Sequence, residues 1–360
     1  MTTPSPTLPP ASGWLIRVSE VFGELADEVV RRTGASASTP LGSEYHLLKG
    51  TDLKAIQSSE AAQFIRWNLP VHHSWPCNPQ KTEGFIEKAA QALVRKFGHL
   101  PLQAVLVGQL DPSSPNKYYK TLASNFRGRT LQLFPSLGKI EVEAQDPATL
   151  TLFCLVGPEG LFCGVQSPLD SNGFHPGGTR YISQNAPGTI SRAGAKIAEA
   201  LHYLPLHRPL PTTGGHWLEL GASPGGMTSE LLKRGYRVTA VDRAPLDPRL
   251  DKAKGLTFSR ADVAHFQPPV GESYDAFLSD LNGSARESIG YIIRLSSHLR
   301  KGGLVVFTLK TSDASTVEAV NDLYKEVVAH AKPVGLALIA TTHLTYNRQE
   351  FTLFFEKTKG

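Results

Sequence analysis

The chain has 360 residues, 41% hydrophobic and 19% charged, which is long enough for two or three domains with cores of their own. No run approaches the roughly 18 apolar residues of a membrane span, and mean hydropathy is −0.17, so a transmembrane helix is excluded. Lys and Arg number 37 against 32 Asp and Glu, and this excess of +5 suits a polyanionic partner without requiring one.

Residues 1–12 are rich in Pro, Ser and Thr and lack a basic segment ahead of an apolar one, so they read as a disordered leader and not a signal peptide. From 13 to 80 the pattern is strand (14–18), helix (21–32) and strand (45–48). A second helix around 58–66 and a strand around 68–72 follow, which together suit a small α+β sandwich. From 81 the pattern restarts with an amphipathic helix over 82–97, whose Phe85, Ile86, Ala89, Leu93 and Phe97 share one face. A strand at 103–107, a helical stretch after the turn at 111–116, and strands at 149–156 and 161–167 complete a segment ending near 168. That helical stretch interleaves basic and aromatic side chains: Lys117, Tyr118, Tyr119, Lys120, Arg127 and Arg129. It can contact phosphates and stack an unpaired base, or be an ordinary solvated helix with Tyr packed inward. Residues 169–188, rich in Gly, Pro and Asn, read as a linker. From 189 to 360 strands and helices alternate, the pattern of a mostly parallel α/β sheet.

Three cysteines, Cys77, Cys154 and Cys163, are an odd number without C-x-x-C spacing. They support neither a disulfide framework nor a zinc site, and a reducing cytoplasm fits them best. Cys154 and Cys163 lie on apolar strands and are expected to be packed thiols.

The chemistry concentrates in the last segment. A strand at 216–220 runs into Gly221-Ala222-Ser223-Pro224-Gly225-Gly226, then a helix at 227–234 and a strand ending at Asp242. A glycine turn between strand and helix lets a ligand approach the backbone at the carboxyl end of the sheet, and an acid closing the next strand suits a ribose. Three readings compete. The dinucleotide fingerprint needs a glycine where Ser223 stands, followed here by Pro224. The turn also satisfies the G-x-S-x-G of a serine hydrolase, but Pro224 lacks the N–H that must serve the oxyanion. S-adenosylmethionine has no pyrophosphate, asks only for a close glycine-rich backbone, and survives both objections. Three more strand ends agree with it, carrying Asp262, Asp280 and Lys310 in order, so that with Asp242 four such groups converge on one crevice. Alone, each has a bland reading, Lys310 as a surface lysine at a strand end.

The turn resembles motif I of the FtsJ-type (RrmJ-fold) RNA 2′-O-ribose methyltransferases, which read G-A-x-P-G-G and carry a Lys-Asp-Lys-Glu tetrad. The resemblance assigns that tetrad to Lys196, Asp280, Lys310 and Glu350, in the order the family has them. The whole chain further resembles the RlmM-type 23S rRNA cytidine 2′-O-ribose methyltransferases. That implies a ferredoxin-like domain at 13–80, a THUMP-like RNA-binding domain at 81–168 and a Rossmann-type catalytic domain at 189–360, with Ser191 as a further cofactor contact. The sequence departs from the family at Met227, where an aromatic is usual, at Glu219 in place of Asp, and at the small Gly194-Ala195 pair before Lys196. With Ser191 added by the resemblance, the expected cofactor set is Ser191, Glu219, Gly221, Ser223, Pro224, Gly225, Gly226, Met227, Asp242, Asp262 and Asp280. The RNA-binding set expected from the basic and aromatic stripe is Lys117, Tyr118, Lys120, Arg127 and Arg129.

Methyl transfer to a 2′-hydroxyl needs in-line placement and removal of the proton. Lys310 is the candidate base, its pKa expected to fall through burial and the nearby Lys196. Asp280 would orient it, and Glu350 would fix Lys196 or the ribose. No metal is required. The expected protein is a cytoplasmic monomer whose partner is 23S rRNA or a pre-ribosomal particle, with no membrane. A cofactor-binding RNA chaperone or ribosome-assembly factor with dispensable chemistry is the alternative. A base or protein methyltransferase is a second, disfavoured because Asp280-Leu281-Asn282-Gly283 stands where an Asn/Asp-Pro-Pro-aromatic motif would be.

Overall fold

A computed structural model describes residues 8–111, 116–134, 137, 141–183, 188–312 and 314–359. Residues 1–7 of the expected leader, most of the 111–116 turn and residues 184–187 of the expected linker lie outside the described residues. The chain divides into two units, residues 1–179 and 180–360. No described helix is long and apolar enough to cross a membrane.

The first unit begins β1 (Trp14–Val18), α1 (Ala26–Arg32), β2 (Ala37–Leu41), β3 (Tyr45–Lys49), α2 (Leu53–Ser58) and β4 (Ile65–Pro70). These strands form an antiparallel sheet in the order β2-β3-β1-β4, a β-α-β-β-α-β arrangement. Two sequence expectations shift here. The helix placed at 58–66 lies earlier, because the Asp52 carboxylate accepts the Ala55 N–H at 2.8 Å and starts it there. The strand correspondingly starts at Ile65, and its buried Arg66 and Asn68 are what obscured it. Strand β2 had no visible signal, being an exposed edge with Ser38, Thr39 and Pro40.

The second sheet comprises β5 (His73–Trp75), β6 (Ala104–Gln109), β7 (Thr151–Gly157) and β8 (Gly160–Gln166), ordered β5-β8-β7-β6. Helices α3 (Phe85–Phe97) and α4 (Lys117–Leu133) cover one of its faces, and the short α5 (Pro168–Ser171) follows. Alternation along β7 splits its side chains. Leu152, Cys154 and Val156 meet Leu93, Phe97 and Phe126 of the helices, while Phe153 and Leu155 meet Leu15, Trp67 and Leu69 of the first sheet. Trp67 and Phe153 touch edge to face, centroids 5.7 Å apart. The two sheets of this unit therefore share a core. The Gly/Pro stretch beyond β8 is pinned to the first sheet as far as Thr179, since buried Arg17 donates to Gly177 O at 2.7 Å and Arg66 Nη2 to Gly178 O at 2.9 Å.

The second unit runs α6 (Ala193–Tyr203), β9 (His216–Leu220), α7 (Gly226–Lys233), β10 (Arg237–Asp242), β11 (Leu256–Arg260), β12 (Tyr274–Ser279), α8 (Ala285–Leu295), β13 (Leu299–Lys310), α9 (Val317–Ala331), β14 (Leu336–Thr342) and β15 (Glu350–Lys357). One sheet holds all seven strands in the order β11-β10-β9-β12-β13-β15-β14. The first five are parallel, and β15 inserts antiparallel between β13 and β14. Chain direction across the sheet reverses at β9, with β10 on one side and β12 on the other, and such a switch point opens a crevice at the strands' carboxyl ends.

Candidate active site

The glycine turn lies at that crevice. Gly221 has φ +83°, and a Cβ there would stand 2.9 Å from Leu281 Cδ2. Gly225 has φ +102°, a conformation that favours glycine. A Cβ on Gly226 would fall 2.0 Å from the Ser191 Oγ, so the serine fills the space that glycine leaves. The Ser223–Pro224 peptide is cis. Asp242 shapes the turn, with Oδ2 accepting the Ser223 N–H at 2.9 Å and Oδ1 the Ala244 N–H at 2.8 Å.

These groups border a cavity of about 440 Å³, within the range of small-molecule sites. Every residue assigned to the cofactor from the sequence lines it except Gly225, which supplies only the turn. The Ser191 Oγ at its wall is buried and has no hydrogen-bond partner among the described residues, as suits a group that meets a ligand. Asp242, Asp262, Asp280 and Glu287 give the lining an acidic character, with Arg243 as the cation among its described residues. Glu219 is only 2% exposed and accepts a 2.7 Å hydrogen bond from the Thr228 hydroxyl. Burial pushes its pKa up to about 8 against the pull of that bond, so it is protonated at neutral pH. A glycine cradle, strand-end acids and an unpaired serine suit a nucleoside that carries positive charge. Sequence reasoning missed the far wall, where Ser288 and Tyr291 project from α8. Their signal was a polar stripe beside the buried Ile289, Ile292 and Leu295.

At one end of the cavity the structure brings Lys196, Asp280, Lys310 and Glu350 together. Lys310 and Glu350 are cross-strand partners on β13 and β15, Asp280 follows β12, and Lys196 comes from the first turns of α6. The charges alternate around a ring. Lys196 Nζ lies 3.2 Å from Asp280 Oδ2 and pairs closely with Glu350 Oε1. Lys310 Nζ lies 3.1 Å from Asp280 Oδ1 and 3.0 Å from Glu350 Oε2. Glu350 is 4% exposed. Burial works to raise the Asp280 pKa, but the two ammonium groups outweigh it and hold the carboxyl below its usual value. Lys310 departs from expectation. Burial does press its pKa down, yet Asp280 and Glu350 together win and raise it, so the resting ring holds Lys310 protonated.

The basic and aromatic stripe divides. Lys117, Lys120 and Tyr118 are exposed, Tyr118 by 40%, whereas Tyr119 is buried and its hydroxyl donates to Asn78 Oδ1 at 3.2 Å. Arg129 is drawn back to Glu87 at 2.6 Å, and Arg127 Nε donates to Val105 O at 3.3 Å.

A family model described as FtsJ-like methyltransferase matches residues 189–334. Among curated relatives, the ribosomal RNA large subunit methyltransferase M of Halorhodospira halophila is 44% identical over 87 residues, 24% of this chain and 25% of that one. The protein of the same name from Shewanella frigidimarina is 33% identical over 175 residues, 46% of this chain and 48% of that one. The chain thus spans from a quarter to about half the length of these two relatives. The match to the protein of that name from Shewanella pealeana is longer, 31% identity over 271 residues, covering 68% of this chain and 70% of that one. With that coverage, and an FtsJ-like match that takes in Lys196, Asp280 and Lys310, this chain belongs to the ribosomal RNA large subunit methyltransferase M family.

Proposed function

We propose that the chain is an S-adenosylmethionine-dependent methyltransferase acting on a ribose 2′-hydroxyl of large-subunit ribosomal RNA, a cytidine of 23S rRNA, with Lys310 as the base. The observation that carries this reading is the alternating ring of two lysines and two carboxylates, joined to the glycine-turn cavity through Asp280, which belongs to both. The cavity's glycine cradle, its acids and the unpaired Ser191 hydroxyl support the cofactor assignment.

S-adenosylmethionine supplies an electrophilic methyl group on a positively charged sulfur. Asp242, at the end of β10, is positioned for the ribose hydroxyls, and Ser191 offers a hydrogen bond beside the turn. Lys310 receives the proton of the attacking 2′-hydroxyl. Because Asp280 and Glu350 hold it protonated at rest, it must release its own proton first, and any cation arriving beside Asp280 favours that release. Lys196 shares both carboxylates, which keeps their four oxygens in place as Lys310 changes charge. General-base help of this kind contributes about 10²–10⁴-fold in rate.

In the same proposal the first unit recognises RNA. The expected 13–80 domain is ferredoxin-like as far as residue 72, a reading supported by the β2-β3-β1-β4 order. Strand β5 pairs with β8 and so joins the expected 81–168 segment, a THUMP-like module whose exposed Lys117, Tyr118 and Lys120 face the nucleic acid. Of the expected linker at 169–188, residues up to Thr179 belong to the first unit, which leaves the connection to those after it. The protein acts as a cytoplasmic monomer on 23S rRNA or its precursor particle.

The test is incubation with methyl-labelled cofactor and total RNA from cells lacking the protein, followed by digestion to nucleosides. Label in a 2′-O-methylnucleoside, cytidine above all, supports the reading. Label in a methylated base, or none in RNA, contradicts it.

A further inference from the structure

Glu350 opens a strand, yet the seven residues before it, 343–349, are a loop, and loops place catalytic groups poorly unless they are held. This loop is held at both ends. Near its far end, the Thr311 backbone N–H and hydroxyl both donate to Gln349 O at 2.9 Å. Thr311 directly follows Lys310, so this clamp ties Glu350 to the strand that carries one lysine. At its near end, both carboxyl oxygens of Glu199 are engaged by Thr345, Oε2 accepting the backbone N–H at 2.8 Å and Oε1 the hydroxyl at 2.7 Å. Glu199 lies on α6, one turn beyond Lys196, and is 3% exposed. The second clamp therefore ties the Glu350 loop to the helix that carries the other lysine.

We propose that Glu199 is a positioning residue for the ring: its clamp on Thr345 fixes the loop against α6 so that Glu350 meets Lys196 while remaining paired with Lys310. Two observations carry it. A buried carboxyl group placed on a helix face three residues from Lys196 engages one loop residue with both of its oxygens, and that loop ends at Glu350. The clamp acts on geometry, since neither Glu199 nor Thr345 lines the cavity. As far as catalysis is concerned, the inference rests on the methyltransferase reading above.

Two readouts on the full chain test it. Acetic anhydride labelling, followed residue by residue by mass spectrometry, reports the freedom of the Lys196 amine without any substrate. In Glu199→Ala, Lys196 should acetylate severalfold faster while the exposed Lys233 is unchanged, and cofactor affinity should stay within about threefold. Glu199→Gln, which can still accept the Thr345 N–H and donate to its hydroxyl, should restore the slow rate. Thr345→Val, a milder change that keeps the backbone half of the clamp, should fall between and serves if Glu199→Ala does not fold. With RNA, kcat should drop by about 10²-fold in Glu199→Ala, the scale of a misplacement near 1 Å, with KM for RNA little changed. Unchanged Lys196 labelling in both Glu199→Ala and Thr345→Val would overturn the clamp. So would a Glu199→Gln protein as impaired as Glu199→Ala, because that result makes charge, not geometry, the contribution. A wild-type protein that shows no transfer to RNA but whose Lys196 labelling follows this pattern would overturn the methyltransferase reading and leave the clamp standing.

Discussion

Lys196, Asp280, Lys310 and Glu350 come from one helix, one strand end and a strand pair, spread over 154 residues of sequence, and each finds oppositely charged partners within the ring. Lys117, Tyr118, Lys120, Arg127 and Arg129 come from one helix of 17 residues and go separate ways: three into solvent, one to a backbone carbonyl and one to Glu87. The first cluster is fixed by long-range packing, so its members have one arrangement. The second is local in sequence, and its members share no common partner. Charges that tertiary structure has collected into a half-buried ring are committed to each other, whereas neighbours on a helix are not.

The sharpest way to break this contrast is to remove the ring's carboxylates. Asp280→Asn and Glu350→Gln should each lower methyl transfer by about 10²–10⁴-fold, and the double variant should be little worse than the poorer single, because residues acting as a unit are non-additive. Additive losses measured in single-turnover assays would mean that the four groups act separately.

A second effect sharpens the comparison within the cavity wall. The folded chain keeps the Glu219 proton up to about pH 8, whereas an unfolded carboxyl releases it near 4.5. Between those values the folded state binds more protons, so this residue makes stability decline as pH rises through the window. Glu219→Gln should flatten that decline, with a Tm advantage over wild type that is small at about pH 5 and largest above about pH 8. A Tm difference independent of pH would show that Glu219 is not held protonated.

The smallest effect is expected on α4. Replacing Arg127 and Arg129 by Ala together should weaken RNA binding severalfold and reduce the salt slope by up to about two, one for each phosphate contact. Since Arg129 is already paired with Glu87, most of the change should come from Arg127. Unchanged binding and slope would remove both arginines from the RNA surface.

The same contrast explains what was legible in the sequence. Asp242, Asp280 and Lys310 could be read because each sits at or just beyond the end of an apolar parallel strand, where chain order alone predicts convergence at the switch point. Glu350 and Lys196 were placed by the family resemblance, since an edge-strand charge and a helix lysine have no distinctive local pattern. The direction of the Lys310 pKa was not legible, because it depends on two carboxylates outweighing burial at 3.0–3.1 Å, a balance only coordinates supply. In the first unit, β2 and the start of β4 were hidden for a related reason: polar residues on an exposed edge, and Arg66 and Asn68 buried by partners distant in sequence.

A ring that does chemistry beside a cavity that binds cofactor should be separable by mutation. The direct measurement is Lys310→Ala assayed side by side for S-adenosylmethionine affinity by calorimetry and for methyl transfer to RNA. Affinity should stay within about threefold of wild type, and transfer should fall by about 10²-fold or more. Transfer that survives the substitution, or a loss that follows cofactor affinity in equal measure, would contradict that separation.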